Sequence, residues 1–388
     1  MKKLTYILIS AMIAIGAVSC GDDDDTQKDN KKDPEVIPLT DEGTETDVSD
    51  VEKANPVTHS DLVFAYGCDP SWITEMEKDG VKLKNESGEE SDCFKILTGI
   101  GMDAARFRIW VNPEVKSGVQ FCALKDVITK AVRAQNAGMK IMIDFHYSDT
   151  WADPSNQKKP AAWDAAPSVD ALADSAADFT KKCLEALKAC NIDVNWVQVG
   201  NETRSGMMRT TSTGAKTDIN GDMGANYVTI HNKCAKAARG VYPETKIVTH
   251  FQNGQDALYS SFTNIVKQLD LDILGFSLYP SWDNTVNSYS PDGISEAYYT
   301  QCANVMNSFA TTYGKETMIC EIGTTNIEQS TAGASLKSAF DYIKTNVSSC
   351  KGIFYWEPES FYGWGNYNAG GFTTTAQPAQ ALIDAYKH

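Results

Sequence analysis

The feature that most constrains the fold is a regular alternation of short apolar runs with longer amphipathic stretches. The apolar runs are Leu62–Tyr66, Ala104–Trp110, Lys140–Phe145, Trp196–Gly200, Lys246–His250, Ile273–Leu278, Thr317–Cys320 and Gly352–Trp356. Longer stretches between them carry apolar residues at helical spacing, namely 124–137, 169–190, 227–239, 295–313 and 336–346. Eight strands joined by helices predict an α/β fold, a single (β/α)8 TIM barrel. A doubly wound open sheet is the alternative, but no Gly-x-Gly-x-x-Gly motif follows any run to support a dinucleotide-binding fold.

Polar and aromatic residues crowd the carboxyl ends of six runs. These ends read Arg108 to Trp110, Asp144 to Tyr147, Gly200 to Glu202, Tyr279 to Trp282, Cys320 to Glu321 and Trp356 to Pro358. In a parallel barrel such ends meet at one face, and barrel enzymes carry their active sites there. The pattern therefore predicts an enzyme with its cleft on that face.

Two carboxylates are placed to work as a pair. Glu202 ends the fourth run and Glu321 ends the seventh, and each is the first ionisable residue after its apolar run. Because the fourth and seventh strands lie on opposing parts of a barrel, the two side chains can converge on one bond, as glycoside hydrolysis requires. A salt-bridged rim residue is the alternative for either glutamate alone. The rival carboxylates, which are interpreted as supporting residues, are Asp144 near the end of the third run, Asp149 after it, and Glu357 and Glu359 after the eighth.

The amino terminus has the composition of a secretory signal. Lys2 and Lys3 precede an apolar run, Leu4–Val18, that is too short to span a membrane comfortably. The junction at Cys20 resembles a bacterial lipoprotein processing site, and the acidic stretch 21–25 resembles an export tag for the outer face of the outer membrane. We therefore predict a protein anchored by lipid at Cys20 on the surface of a Gram-negative bacterium. An ordinary signal peptide cut elsewhere and a solvated acidic linker are the alternatives.

Composition divides the rest of the chain. Residues 21–57 are acidic and lack aromatic side chains, which predicts a disordered tether between the signal peptide, 1–20, and a catalytic domain, 58–388. The net charge of −16 argues against a nucleic-acid partner, which would need clustered Lys and Arg. Ten cysteines form no CxxC pair, so a zinc site has no support. No cofactor and no metal are predicted.

Several strand-end motifs resemble one known family. The block DFHYSDTWADP at 144–154, with Gln157 and the PAAW that begins at residue 160, looks like the third-strand signature of family 53 glycoside hydrolases, the endo-β-1,4-galactanases. Four further motifs resemble the same family, namely RFRIWVNP, VQVGNE, SLYPSW and GIFYWEP. The resemblance spans roughly residues 60 to 388. It implies an endo-acting enzyme that cleaves β-1,4-galactosidic links in galactan or type I arabinogalactan, the side chains of pectin.

The resemblance also implies roles for the strand-end residues in a retaining mechanism. Glu202 would be the acid/base and Glu321 the nucleophile. Asn201 would hydrogen-bond the 2-hydroxyl of the reacting sugar, Arg108 would keep Glu321 ionised, and Tyr279 would hold Glu321 in position.

Aromatic side chains at the same strand ends would bind the substrate. Trp356 would form the surface beneath the reacting sugar. His146, Trp151 and Trp282 are further candidates for the cleft, although tryptophan at such positions is often core packing.

The chain departs from the family pattern after both glutamates. The segment 203–208 lacks the Trp-Pro found in many members, and 322–325 lacks an aromatic residue. The alternatives are therefore a barrel hydrolase for another β-1,4-glycan, such as mannan or xylan, and a surface glycan-binding lipoprotein without catalysis.

Overall fold

The computed structural model describes residues 47–209, 224–255, 263–283, 288–365 and 367–388, and of residues 263, 282, 283 and 288 it describes the backbone alone. Cys20 and the stretch 21–25 lie outside the described residues. In the described part of the chain, none of the helices combines the length and apolarity needed to cross a membrane.

Eight parallel strands close into a barrel, which confirms the predicted (β/α)8 fold. The strands are β1 (Ala65–Asp69), β2 (Ala104–Ile109), β3 (Lys140–Phe145), β4 (Val194–Val199), β5 (Lys246–Phe251), β6 (Ile273–Leu278), β7 (Glu316–Ile322) and β8 (Cys350–Trp356). Each strand pairs with its neighbour in sequence, and β1 pairs with β8 to close the ring. The first strand begins three residues later than predicted, because Leu62 precedes it and packs at the lower opening of the barrel.

Helices cover the outside of the barrel. They are α1 (Ile73–Lys78), α2 (Cys93–Gly99), α3 (Leu124–Asn136), α4 (Val169–Ala189), α5 (Ala225–Val241), α6 (Thr263–Val266), α7 (Glu296–Tyr313), α8 (Ser330–Asn346) and α9 (Gln380–Tyr386). The long helices were predicted from their apolar periodicity. The short helices α1, α2, α6 and α9 were not, because fewer than two turns carry too few apolar positions to define a period.

The barrel interior has an apolar lower layer and a polar upper layer. The lower layer includes Met142, Trp196 and Phe354. Side chains two residues further along a strand point to the same side, so Asp144 and Gln198 follow Met142 and Trp196 upward into the interior. A buried polar layer at this level sits directly beneath the strand ends where the predicted site lies.

The packed domain begins before residue 58. Val48 and Ala54 are buried, and the Ala54 backbone N–H donates to the Cys190 carbonyl at 2.9 Å. The His59 ring lies 3.0 Å from an Asp193 carboxylate oxygen. The last residues of the stretch predicted as a tether therefore pack against the domain, which their acidic composition does not reveal.

Candidate active site

Both predicted catalytic carboxylates lie at the carboxyl-terminal face of the barrel. Glu202 follows β4 by three residues, and Glu321 is the sixth residue of β7. Glu202 adopts a left-handed backbone conformation with φ of 50°, which is uncommon for a residue with a side chain and occurs often at functional sites. Burial, together with the charge of Glu321, raises the pKa of Glu202 well above its usual value, so the two carboxyls are electrostatically coupled.

Glu321 is held by two donors. The Tyr279 hydroxyl donates to Glu321 Oε2 at 3.0 Å, and the Arg106 Nη2 lies 3.1 Å from Glu321 Oε1. Burial raises the pKa of Glu321 to about 7 even though Arg106 favours its charged form, because Asp69 and Asp144 share the same guanidinium. A single cation therefore serves three carboxylates.

Arg106 is the arginine of the site that sequence reasoning missed. It is buried and donates to Asp69 at 2.6 Å, to Asp144 at 2.8 Å and to the Asn201 Oδ1 at 2.8 Å. The resemblance assigned the contact with Glu321 to Arg108, and this is corrected. Both arginines point into the barrel because they are two residues apart on β2, but the deeper of the two reaches the level of Glu321.

Arg108 lies nearer the rim and has different partners. Its guanidinium pairs with Glu357, which also accepts from the Trp72 backbone N–H at 3.0 Å. The Arg108 guanidinium carbon is 4.3 Å from the centre of the Trp151 ring, a cation–π contact. Arg108 therefore joins a carboxylate to the aromatic wall of the cleft and does not contact the predicted nucleophile.

Asn201 is fixed in orientation behind the two glutamates. Its Oδ1 accepts from Arg106, and its Nδ2 donates to the Ala152 carbonyl at 2.9 Å. The His250 Nδ1 lies 2.8 Å from the same Oδ1. Because arginine can only donate, the oxygen of the Asn201 amide must be the atom that faces it, and this fixes the orientation of the amide. The second hydrogen of the Asn201 Nδ2 remains available to a ligand.

His146 supports the loop after β3 from within. Its Nδ1 accepts from the Ala152 backbone N–H at 3.0 Å and lies 3.2 Å from the Trp110 Nε1. Its Nε2 then carries the hydrogen and faces Asp144 at 3.1 Å. His146 is 3% exposed, so it orients neighbouring groups more directly than it can reach a substrate.

Aromatic rings surround the carboxylates on the side of β1, β3 and β8. Trp356 is half-buried and lies 5.8 Å from Trp151, 5.2 Å from Trp72 and 4.9 Å from Tyr367, measured between ring centres. The Trp282 backbone belongs to a two-residue strand, Trp282–Asp283, but its side chain lies outside the described residues. Trp72 and Tyr367 were missed by sequence reasoning, because neither immediately follows a predicted strand.

A cavity of about 450 Å³ is lined by Arg108 and by the rings of Trp72, Trp110, Trp151 and Trp364. A larger one of about 590 Å³ lies between α8 and α9, and it contains none of the strand-end residues. The smaller cavity therefore adjoins the aromatic wall of the cleft, and neither Glu202 nor Glu321 lines it. Within the described part of the chain, no group of three or more His, Cys, Asp or Glu residues is arranged to hold a metal ion.

Comparison with known proteins agrees with this arrangement. The model of the family "Glycosyl hydrolase family 53" matches residues 65–386. The chain belongs to glycosyl hydrolase family 53. Family 53 membership makes the protein a glycoside hydrolase, and the paired glutamates are the chemistry that such hydrolysis uses.

Three proteins that are similar to this chain are named as β-1,4-galactanases. The chain is 28% identical to an endo-β-1,4-galactanase of Bacillus subtilis over 76% of this chain and 70% of that protein. It is 33% identical to an arabinogalactan endo-β-1,4-galactanase of Cellvibrio japonicus over 58% of this chain and 60% of that protein. A solved fungal β-1,4-galactanase superimposes with a TM-score of 0.69 at 25% identity, covering 84% of this chain and 100% of the fungal one.

Proposed function

We propose that this family 53 enzyme is an endo-acting, retaining β-1,4-galactanase in which Glu202 is the acid/base and Glu321 the nucleophile. The contrast between the surroundings of the two carboxyls carries the proposal. Glu321 forms an ion pair with Arg106 and accepts from the Tyr279 hydroxyl, whereas Glu202 forms no ion pair within the described residues, and burial and the charge of Glu321 raise the pKa of Glu202 well above its usual value. Titratable pairs whose environments push their pKa values apart divide into acid and nucleophile in this way.

The reaction proceeds in two steps that exchange the role of Glu202. Glu321 attacks the anomeric carbon while the bond to the glycosidic oxygen breaks, and Glu202 gives its proton to that oxygen. The sugar is then bound to Glu321 as an ester. In the second step Glu202, now a carboxylate, takes a proton from water, the water oxygen attacks the anomeric carbon, and Glu321 leaves. The two carboxyls suffice for this chemistry, so no cofactor is required.

Asn201 and Trp356 position the reacting sugar. The free hydrogen of the Asn201 Nδ2 donates to the 2-hydroxyl, and this bond strengthens as positive charge develops on the ring. The half-buried Trp356 presents an apolar ring on which a pyranose can stack. Trp151, Trp282, His146 and Arg108 complete the proposed substrate-binding set, with Arg108 and His146 acting on the aromatic wall and the loop after β3.

Digestion of matched linear polysaccharides tests the substrate. The names of the relatives support β-1,4-galactan and type I arabinogalactan, the side chains of pectin. We expect a rapid fall in the viscosity of galactan with oligosaccharides of mixed length, and little action on mannan or xylan. Equal or better activity on mannan or xylan would overturn the proposed specificity, and no activity on any polymer would favour a glycan-binding protein.

The location of the enzyme is a separate proposal. The apolar run Leu4–Val18, followed by Cys20 and an acidic stretch, supports attachment through a lipid on Cys20 to the outer membrane of a Gram-negative bacterium. Such an anchor would hold the enzyme at the cell surface, where a polysaccharide too large to enter the cell can reach it.

A further inference from the structure

A chain of three hydrogen bonds, two of them buried and the third part-buried, runs behind the two catalytic positions. It begins at Asn201 Oδ1, which is 2.8 Å from the His250 Nδ1. The His250 Nε2 lies 2.9 Å from the Ser277 Oγ, and that oxygen lies 2.7 Å from Glu202 Oε1. His250 and Ser277 are buried, and neither has a part in the reaction steps described above.

The first link of the chain has a fixed direction. Asn201 Oδ1 faces Arg106, which can only donate, so this oxygen is an acceptor. The His250 Nδ1 at 2.8 Å must therefore carry a hydrogen. Gln198 Nε2, at 3.2 Å from the His250 Nδ1, is a weaker competitor, because it donates to Asp144 at 2.7 Å and to the Gly200 carbonyl at 3.1 Å.

The direction of the hydrogen bond between His250 and Asn201 also constrains the bonds that lead from His250 to Glu202. Burial and the nearby Arg106 lower the pKa of His250 well below its usual value, so the ring is neutral and its Nε2 is an acceptor. Ser277 has one hydroxyl hydrogen and two acceptors within reach, Glu202 Oε1 at 2.7 Å and the His250 Nε2 at 2.9 Å; it can donate to an ionised Glu202, and it donates to the His250 Nε2 when Glu202 carries its proton. In that state the Ser277 oxygen presents lone pairs to the protonated Glu202, and the separation of 2.7 Å is a normal O–H···O length for a bond in either direction.

We propose that His250 and Ser277 are positioning residues that hold Glu202 in its protonated, proton-donating form between turnovers. The inference rests on the proposed acid/base role of Glu202. When Glu202 loses its proton, the Ser277 hydroxyl can turn to the new carboxylate only by leaving the buried His250 Nε2 without its donor. The chain therefore favours the return of the proton at the end of each cycle.

Other charged and titratable groups also face Glu202. They are Glu321 on β7, Arg106 on β2, Asp153 in the loop after β3, and Tyr279 and Tyr289 after β6. None of them is altered when Ser277 or His250 is replaced. A change in the titration of Glu202 in such variants is then due to the chain.

Ser277→Ala tests the direction of these hydrogen bonds, because it predicts whether the alkaline limb of the pH profile moves to lower or to higher pH. The measurement is the pH dependence of kcat/KM on galactan, whose alkaline limb reports the loss of the Glu202 proton. If the chain favours protonated Glu202, the limb moves to lower pH by about one unit, the size expected for one buried hydrogen-bond preference. A limb that moves to higher pH, or does not move, overturns the proposal, because Ser277 would then donate to the carboxylate or have no influence.

His250→Asn provides a second variant. Asparagine can keep the donor to Asn201 and removes the acceptor for Ser277, so the hydroxyl is free to donate to ionised Glu202. We expect the same downward shift, and no further shift when Ser277→Ala is added. Additive shifts would contradict a single chain.

Thr249→Val is the matched control. Thr249 is the β5 neighbour of His250, is fully buried, and lies 2.7 Å from the ring nitrogen of another buried histidine, His231, toward the outer face of the barrel. Its loss should lower stability and leave the pH profile in place. A shift as large as that of His250→Asn would mean that any damage to β5 moves the limb.

Glu202→Gln separates this inference from the proposed function. If Glu202 is the acid, this variant loses activity on galactan, keeps activity on an aryl β-1,4-galactobioside with a good leaving group, and shows no alkaline limb on that aryl substrate. Retained activity on galactan would remove the assigned role of Glu202. Loss of the limb in Glu202→Gln with an unmoved limb in Ser277→Ala would overturn the positioning chain alone.

Discussion

Removal of either catalytic carboxyl group should lower activity, but the dependence on substrate should differ between the two variants. Glu321→Ala removes the nucleophile, so activity should fall by several orders of magnitude on every substrate, and external azide should restore turnover with inverted product. Glu202→Ala should reduce activity on galactan far more than on activated aryl glycosides, because a good leaving group departs with little protonation. Nuclear magnetic resonance of the first product decides the stereochemistry. A first product of α configuration would mean inversion and would remove both assignments.

A third glutamate, Glu359, should affect the stability of the fold and take no part in the catalytic reaction. Glu359 is buried beside Glu357, and within the described chain it forms no ion pair. Burial and the charge of Glu357 raise the pKa of Glu359 well above its usual value. The folded state therefore binds more protons than the unfolded state, and stability falls as pH rises above about 4.3, the unfolded value.

Glu359→Gln should remove this decline. The variant should gain on the order of 1–3 kcal/mol over the wild type at pH 8, and less at pH 5, because glutamine stays neutral. Urea unfolding at the two pH values measures the difference. Glu244→Gln, at an exposed position before β5, is the control and should change neither value. A loss of stability in Glu359→Gln at pH 8 would contradict the account.

At the scale of secondary structure elements, β1 can lie in the barrel because Gly67 has no side chain. A Cβ at this position would come within 2.2 Å of the Phe354 ring, which fills the lower barrel from β8. Gly67→Ala should therefore destabilise the fold by about 1–3 kcal/mol, as overpacking of a close-packed core does. Thermal unfolding measures the loss. Gly240→Ala is the control, because it lies in the exposed part of α5 with no atom within 4 Å of the added Cβ, and it should be neutral or stabilising.

The elements show what sequence patterns can and cannot predict. Eight strands were predictable because their apolar runs are short, regular and separated by helical periods, and the two glutamates were predictable because each ends such a run. The partner of Glu321 was not, because Arg106 and Arg108 share the same inward face of β2 and periodicity does not give depth in the barrel. His250 and Ser277 were not singled out for the same reason, since a polar residue inside an apolar strand gives no sign of its contacts.

At the scale of the whole molecule, location and catalysis should be separable, because they depend on different parts of the chain. The residues of the proposed active site lie between Asp69 and Tyr367, whereas the proposed anchor is Cys20. Cys20→Ala should release the enzyme from membranes and leave kcat/KM on soluble galactan unchanged. Replacing Asp22 to Asp25 with alanine should keep it membrane-bound and hide it from external protease, if the acidic stretch directs export to the surface. Membrane fractionation and protease treatment of intact cells distinguish the outcomes. If both variants remain fully exposed on the surface, neither Cys20 nor the acidic stretch determines location.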